Sequence, residues 1–433
     1  MKPMQQLVLG LASLSLGTFS SLASADNIKE EVASIEPQVI EWRHHLHQNP
    51  ELSNREFQTA IYIAEHLESL GIEVETGVAH TGVVGILDSG KPGPVIGLRA
   101  DMDALPVLEQ TGLDFASTAM GEYNGEAVPV MHACGHDTHV AMLMGAAELL
   151  AANTDAFTGK VIFLFQPAEE GAPRGEEGGA ELMVKEGVLD RHNIDSVFGI
   201  HISSGELMGA IGYREHGIMA SVQDFKITVK GQQVHGAYPW GGIDPIVASA
   251  QLINQLQTIV SREAELINAG AVVTVGAIHG GVRSNIIPEE VEMLGTIRTL
   301  DPDMRDQIWA AMHRKVAGVA MATRTDIELI LPYSSNYPVT FNDPELTRAV
   351  LPIARRTAGD DMVFERNAVT GAEDFSFFQE KVPGVYFFLG GRNPDTAPED
   401  APAHHTPYFV VEDGAMKTGV ELFYRLITEY PNQ

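Results

Sequence analysis

Four short apolar runs stand out along the chain: Val95 to Leu98, Val161 to Phe165, Val197 to Ile200 and Val385 to Leu389. Each is continuous rather than alternating and rich in β-branched or aromatic residues, as strands buried on both faces are, and Thr138 to Asn153 between them reads as helix. This order predicts an α/β domain with a mostly parallel core sheet. Upstream, Ala33 to Leu70 reads as helix interrupted at Pro37 and Pro50 and closed by Gly71. Polar residues follow the apolar runs directly: Arg99 and Asp101, Gln166 through Glu170, and His201, which closes its strand. Open α/β sheets hold ligands at the carboxyl ends of their strands, so these side chains are expected to converge.

The middle of the chain has another rhythm. Phe225 to Val229 alternates as a strand, and Asp244-Pro245 opens a helix with an apolar stripe at Ile246, Ala250, Ile253, Leu256 and Val260. Strands at Ala271 to Ile278 and Glu290 to Arg298 follow, then a helix capped by Asp301-Pro302 and running to Met321, then a strand from Asp326 to Leu331. The order β-α-β-β-α-β is the ferredoxin-like split unit. It predicts an inserted α+β domain over 217–332, dividing a larger domain into 26–216 and 333–433.

Composition narrows the function. Lys plus Arg number 28 against 58 Asp plus Glu, a formal charge of −30, which would repel a nucleic-acid backbone and an anionic bilayer alike. At the amino end, Lys2 precedes an apolar run from Leu7 to Phe19, and Ala23-Ser24-Ala25 supplies small residues where signal peptidase cuts. Serines and threonine interrupt that run, so it reads as a secretory signal, residues 1–25, rather than a membrane anchor, and places the mature protein in the periplasm or outside the cell. Exported proteins usually spend cysteines on disulfides, yet Cys134 stands alone.

Cys134 lies in His132-Ala133-Cys134-Gly135-His136-Asp137-Thr138-His139, ahead of a helix. A thiolate and an imidazole two apart across a glycine can bend toward one metal ion, and a helix start would favour the thiolate. The same pair would serve as nucleophile and base of a thiol hydrolase. A second signal is Gln166-Pro167-Ala168-Glu169-Glu170-Gly171, at the end of a hydrophobic strand. Two carboxylates at the mouth of a buried sheet need a cation or a proton; in an extended segment one would ligate a metal while its neighbour faced substrate as general base. With His201 and His405 these residues make a set of N, S and O donors large enough for two divalent ions. His44, His45 and His47, on an amphipathic helix, read as structural or surface residues.

The phrases RADMDALP (Arg99 to Pro106), HACGHD (His132 to Asp137), QPAEEG (Gln166 to Gly171), GIH (Gly199 to His201), GAEDF (Gly371 to Phe375) and HTPYF (His405 to Phe409) resemble the metal-dependent amidohydrolases typified by hippurate hydrolases, N-acyl-amino-acid amidohydrolases and auxin-conjugate hydrolases, relatives of aminoacylase and glutamate carboxypeptidase. The resemblance spans essentially the whole chain beyond the signal. It implies a zinc-peptidase-like catalytic domain in which Cys134, His136, Glu170, His201 and His405 hold two metal ions, Mn or Zn with Co or Ni tolerated, and Glu169 is the base. It also implies that Asp101, in the place of the family's His-x-Asp motif, orients ligands from behind. His405 is chosen over His404 because it stands two residues before the proline. The inserted domain, through VHGAYP (Val234 to Pro239) and GGVRSNIIP (Gly280 to Pro288), resembles a lid and dimerisation domain whose His235 and Asn285 reach the scissile carbonyl, often of the partner subunit. The expected activity is hydrolysis of the amide bond of an N-acyl amino acid or short peptide by a homodimer, with a metal-activated water and Glu169 as its base. The rivals are a thiol hydrolase using Cys134 and a non-catalytic metal-binding protein of the envelope.

Overall fold

The computed structural model describes residues 19–334 and 336–432. Most of the apolar run expected to be an export signal lies outside the described residues. Helix α1 (Phe19–Gln48) passes through Pro37 without a break, correcting the expected interruption. Its buried Val32, Val39, Trp42 and Leu46 belong to the main core, and that packing holds the helix together where local propensity would end it. Pro50 does fall in a break, before α2 (Phe57–Ser69), which ends as expected: Ile72 N–H returns to Leu67 O across Gly71, whose φ is +77°.

The large sheet begins with β1 (Glu73–Val78), β2 (Gly82–Asp88) and β3 (Val95–Asp101). Helix α3 (His136–Ala152) leads to β4 (Lys160–Gln166), followed by β5 (Ser196–Leu207) and β6 (Ile211–Tyr213). The inserted unit contains β7 (Val222–Lys230), β8 (Val234–His235), α4 (Pro245–Thr258), β9 (Ala271–Gly280), β10 (Ile286–Ile287), β11 (Glu290–Thr299), α5 (Pro302–Thr323) and β12 (Asp326–Ile330). The chain then returns to the large sheet with α6 (Pro344–Ala358), β13 (Val363–Glu365), β14 (Gly384–Arg392) and α7 (Met416–Glu429).

The eight-stranded sheet has the order β1-β2-β4-β3-β5-β14-β6-β13. Its four central strands, the four apolar runs, are parallel; β2 on one side and β6 on the other join antiparallel. All of α3 from His136 to Ala147 is buried on one face, and Gly145 is why α1 fits there: a Cβ at that position would lie 2.9 Å from Val39 Cγ2 and 3.0 Å from Val420 Cγ2. One expectation needs correcting. His201 does not close its strand, because β14 keeps pairing with β5 as far as Arg392 opposite Leu207, while β3 and β4 stop at Asp101 and Gln166. The crevice is thus the step where two strands end beside two that continue.

The inserted unit forms an antiparallel sheet ordered β9-β11-β7-β12, with α4 and α5 packed on it, the ferredoxin-like arrangement. The stripe expected on α4 is rotated. Ala248, Leu252, Leu256 and Ile259 are buried, whereas Ile246, Val247 and Ala250 face outward. Apolar residues lie on more than one side of this helix; the Asp244 cap, accepting from the amides of Ile246 and Val247, and the sheet beneath select its phase.

Candidate metal centre

The turn from Cys134 into α3 depends on Gly135. Its φ is +97°, and a Cβ there would stand 2.3 Å from Ile202 Cγ2, so only glycine fits. His136 then donates from Nδ1 to Asp103 O at 2.8 Å. Its Nε2 is fully buried and has no hydrogen-bond partner among the described residues; although burial opposes charge on the ring, Asp101 and Asp103 raise it to about 10, so a metal ion there would displace a proton. His201 likewise donates from Nδ1 to Ile202 O at 2.6 Å and aims Nε2 at Cys134 Sγ, 3.5 Å away. His405, at φ +62°, donates its amide to Ala133 O, which ties the two loops together. Its Nε2 lies 3.3 Å from Cys134 Sγ and 3.0 Å from Glu170 Oε1.

Donor atoms of Cys134, His136 and His201 fall within 4.8 Å of one another, as do those of Cys134, Glu170 and His405, and those of His136, Glu169 and Glu170. The structure thus brings together all five residues expected to hold metal, with Glu169 beside them. Glu169 and Glu170 occupy a turn, not the extended segment expected. Ala168, at φ +53°, starts that turn with its amide held by Glu56 Oε1, and both following amides donate 3.0 Å bonds to Asp103, one to each oxygen. One buried carboxylate therefore sets the backbone of both glutamates and touches His136 as well.

Asp101 meets His139 Nδ1 at 2.5 Å and Arg99 at 2.7 Å, while His136 Nε2 is 3.7 Å away. His139 in turn accepts the Ile202 amide, so Asp101 steadies the strand that carries His201. Arg99 also binds Glu373 at 2.8 Å and Asp374 at 3.0 Å, a buried cation among three carboxylates. Burial would raise the Asp101 carboxyl, but Arg99, His136 and His139 outweigh it and hold the group well below its usual range. Glu169 goes the other way: burial, then Glu373, Glu170, Asp374 and Asp101, push it well up. Burial, then Glu170, Glu169, Asp101 and Glu373, push up the Cys134 thiol, overriding the expected help from the helix start.

A pair of divalent cations fits these residues. His136 presents an Nε2 without a hydrogen-bond partner in the core and His201 aims its own at the Cys134 thiol; burial and nearby carboxylates oppose the anionic forms of that thiol and of Glu169, and positive charge would favour both. The cavity beside them holds about 480 Å³ and is lined by Glu169, Tyr337, Arg298, Arg366 and Phe388 among others.

His235 and Asn285 do not join this group. They sit together on the ribbon of β8 and β10, where Gly236 N–H donates to Asn285 O, and both are exposed. Neither lines the cavity of its own chain. His404 does line it, with Nδ1 3.7 Å from Cys134 Sγ, but its Nε2 already accepts the Ser204 amide, which leaves His405 the freer donor. Asp103, His139, Glu373 and Arg99 form the supporting shell that sequence reasoning left without roles. Their signal was position inside the quoted phrases, with nothing to say whom they touch.

A buried N, S and O donor set on the carboxyl side of a parallel sheet, with a spare carboxylate facing a cavity, is the equipment of a metal-dependent hydrolase. The model of Peptidase family M20/M25/M40 matches residues 97–429, and the chain belongs to that family. It is similar to thermostable carboxypeptidase 2 of Saccharolobus solfataricus, 41% identical with 94% of this chain and 99% of that protein covered. N-acetyl-L-cysteine deacetylase of Bacillus subtilis is 36% identical, with coverage of 92% and 90%. Among solved structures, a dinuclear metal binding peptidase of the M20 family from Bacillus subtilis superposes with a TM-score of 0.74 at 32% identity, over 92% of this chain and 99% of that one. The protein is an amide-bond hydrolase of this metal-dependent kind, and the thiol-hydrolase and non-catalytic readings fall.

Proposed function

We propose that the protein cleaves the amide bond joining an acyl group to an amino acid or a short peptide. The observation that carries this is the bare, buried Nε2 of His136 among the other donors, with Glu169 free on the cavity wall. Two divalent ions, Mn or Zn with Co or Ni as tolerated substitutes, held by Cys134, His136, Glu170, His201 and His405, would supply Lewis acidity and lower the pKa of water. Glu169, its amide anchored on Asp103 and its carbonyl on the Tyr337 hydroxyl at 2.9 Å, takes the proton of the attacking water and returns it to the leaving nitrogen. Asp101 acts from behind the ligands, through His139. The test is elemental analysis of active protein purified without added metal. Two ions per chain are expected, with loss of activity to a strong chelator and recovery on adding Mn or Zn; full activity with less than one ion per chain would refute the dinuclear reading.

We further propose a homodimer in which His235 and Asn285 serve the partner's carbonyl. Supporting this, strand β9 pairs on one side only among the described residues, and Val272, Ile278, Val282 and Trp240 are exposed on the inserted unit, a surface suited to a second copy. Mixing Glu169→Gln chains with His235→Ala chains should restore activity once subunits exchange; a mixture that stays inactive despite exchange removes the shared site. Export, with removal of residues 1–25 and residence in the periplasm or outside the cell, completes the proposal. It is checked by amino-terminal sequencing of protein recovered from the envelope, where a first residue of Asp26 is expected. Substrates are small molecules, and neither nucleic acid nor a membrane is a partner.

A further inference from the structure

Four arginines in and behind the site are of two kinds. Arg43 and Arg99 are fully compensated: Arg43 binds Asp137 and Asp413, and Arg99 binds Asp101, Glu373 and Asp374. Arg298 and Arg366 are not. Arg298, which is half-buried, reaches Thr370 O at 3.4 Å among the described residues, and Asp224 acts on it without a hydrogen bond. Arg366 has a side chain 12% exposed, and its Nε and Nη1 have no hydrogen-bond partner among the described residues. Its one carboxylate neighbour, Glu206, stands 3.5 Å away, beyond the roughly 2.7 to 2.9 Å of a charge-assisted bond. Burial lowers the hold of Arg298 and Arg366 on their protons, whereas in Arg43 and Arg99 the carboxylates more than reverse the effect of burial.

Both under-compensated cations line the cavity beside the metal donors. Arg366 lies 3.5 Å over the ring of Phe388, and the same ring stacks on His201 with centroids 5.7 Å apart, so one phenyl group contacts both the guanidinium and a metal-donor imidazole. A buried cation without its full set of acceptors is expensive to maintain unless a ligand supplies them. The α-carboxylate common to N-acyl amino acids answers one guanidinium. The other calls for a second anion.

We propose that Arg366 is a specificity residue that binds a carboxylate additional to the α-carboxylate, so that preferred substrates are dianionic. The extra acid would lie on the amino-acid side chain or at the far end of the acyl group. The proposal rests on the amidohydrolase reading and names the substrate class of that same site. The two arginines in the cavity wall would let a chain with formal charge −30 admit a dianion.

The test uses the metal-loaded full chain and two matched pairs: N-acetylglutamate against N-acetylglutamine, and N-succinylalanine against N-butanoylalanine. In at least one pair the acid should lead in kcat/KM by about tenfold or more, carried mainly in KM. Arg366→Met should abolish that lead. Arg366→Lys, which keeps the charge but not the fork, should retain part of it at unchanged metal content, and it decides the matter if the methionine variant does not fold. Which pair shows the lead tells whether the acid belongs to the amino acid or to the acyl group. Turnover without preference in either pair, equal losses on acid and neutral partner in Arg366→Met, or an undiminished lead in Arg366→Lys would overturn the proposal. Failure of the amidohydrolase reading looks different: none of the four compounds is hydrolysed.

Discussion

The metal-donor cavity and the ribbon carrying His235 and Asn285 hold their polar side chains in opposite ways. In the cavity nearly every donor is fixed from behind: His136 by Asp103, His201 by its own strand carbonyl, and the two glutamates by a shared buried carboxylate. On the ribbon, two strands of two residues each carry an exposed histidine whose Nδ1 accepts the Ala237 amide. The contrast teaches what each task demands. Ligands that gather two cations must be positioned before the charge arrives, because rearranging buried dipoles afterwards would consume the binding energy. In the role proposed for His235, meeting substrate from a second surface, a group must stay accessible until the surfaces close.

The sharpest way to test the cavity half of this contrast is Glu169→Gln. We expect at least a hundredfold loss of kcat with the metal content unchanged, as elemental analysis and initial rates would show; retention of more than a few per cent of activity would remove Glu169 as the base. Next comes the underside of the same region. His47 is buried, and although burial opposes its charge, Asp137 and Glu109 raise it to about 9 from an ordinary 6.5. Its stabilisation is therefore complete below pH 6.5 and is lost as pH climbs through about 9, amounting to at most about 3 kcal/mol. Thermal melts should show His47→Gln less stable at pH 6 and with a smaller decline between pH 6.5 and 9 than the parent.

Asp103→Asn should weaken metal retention about 10- to 100-fold, read by competition with a chelator, because one amide oxygen cannot replace a carboxylate that accepts from Ser53 and from the amides of Glu169 and Glu170. The smallest effect belongs to the inserted unit. Val282→Asp changes a residue that is 93% exposed and should alter the folding stability of the chain by about 0.5 kcal/mol or less, while weakening self-association in sedimentation experiments. An unfolded variant would show that the outer surface is as constrained as the cavity and would erase the contrast.

Much of this was legible beforehand. The four central strands, the β-α-β-β-α-β insert and the Cys134, His136, Glu169, Glu170 and His405 motifs announce themselves because their signals are local: an apolar run, a proline after a cap, two donors around a glycine. The phase of α4 was not, since Ile246 and Ala250 are as apolar as Ala248 and Leu252 and only the sheet beneath selects among them. Pro37 misled for the same reason, its local penalty being outweighed by the packing of Val39 and Trp42. The glutamate turn looked extended because nothing adjacent reveals that Asp103, far away in sequence, receives both amides.

By itself, then, the sequence determined the class of fold, the insertion and which candidate donors would come together, because periodicity and short motifs are written within a few residues of each other. Only the tertiary structure decided which donors keep a free lone pair, which arginines are satisfied and which are not, and that His235 stays outside its own chain's cavity. Those outcomes depend on partners brought together from distant segments, such as Asp103 with Glu170, Arg99 with Glu373, and Cys134 with His405. Hydrogen bonds and ion pairs are short-ranged and directional, so whether a polar group is paired, strained or left bare is settled by where folding puts its neighbours.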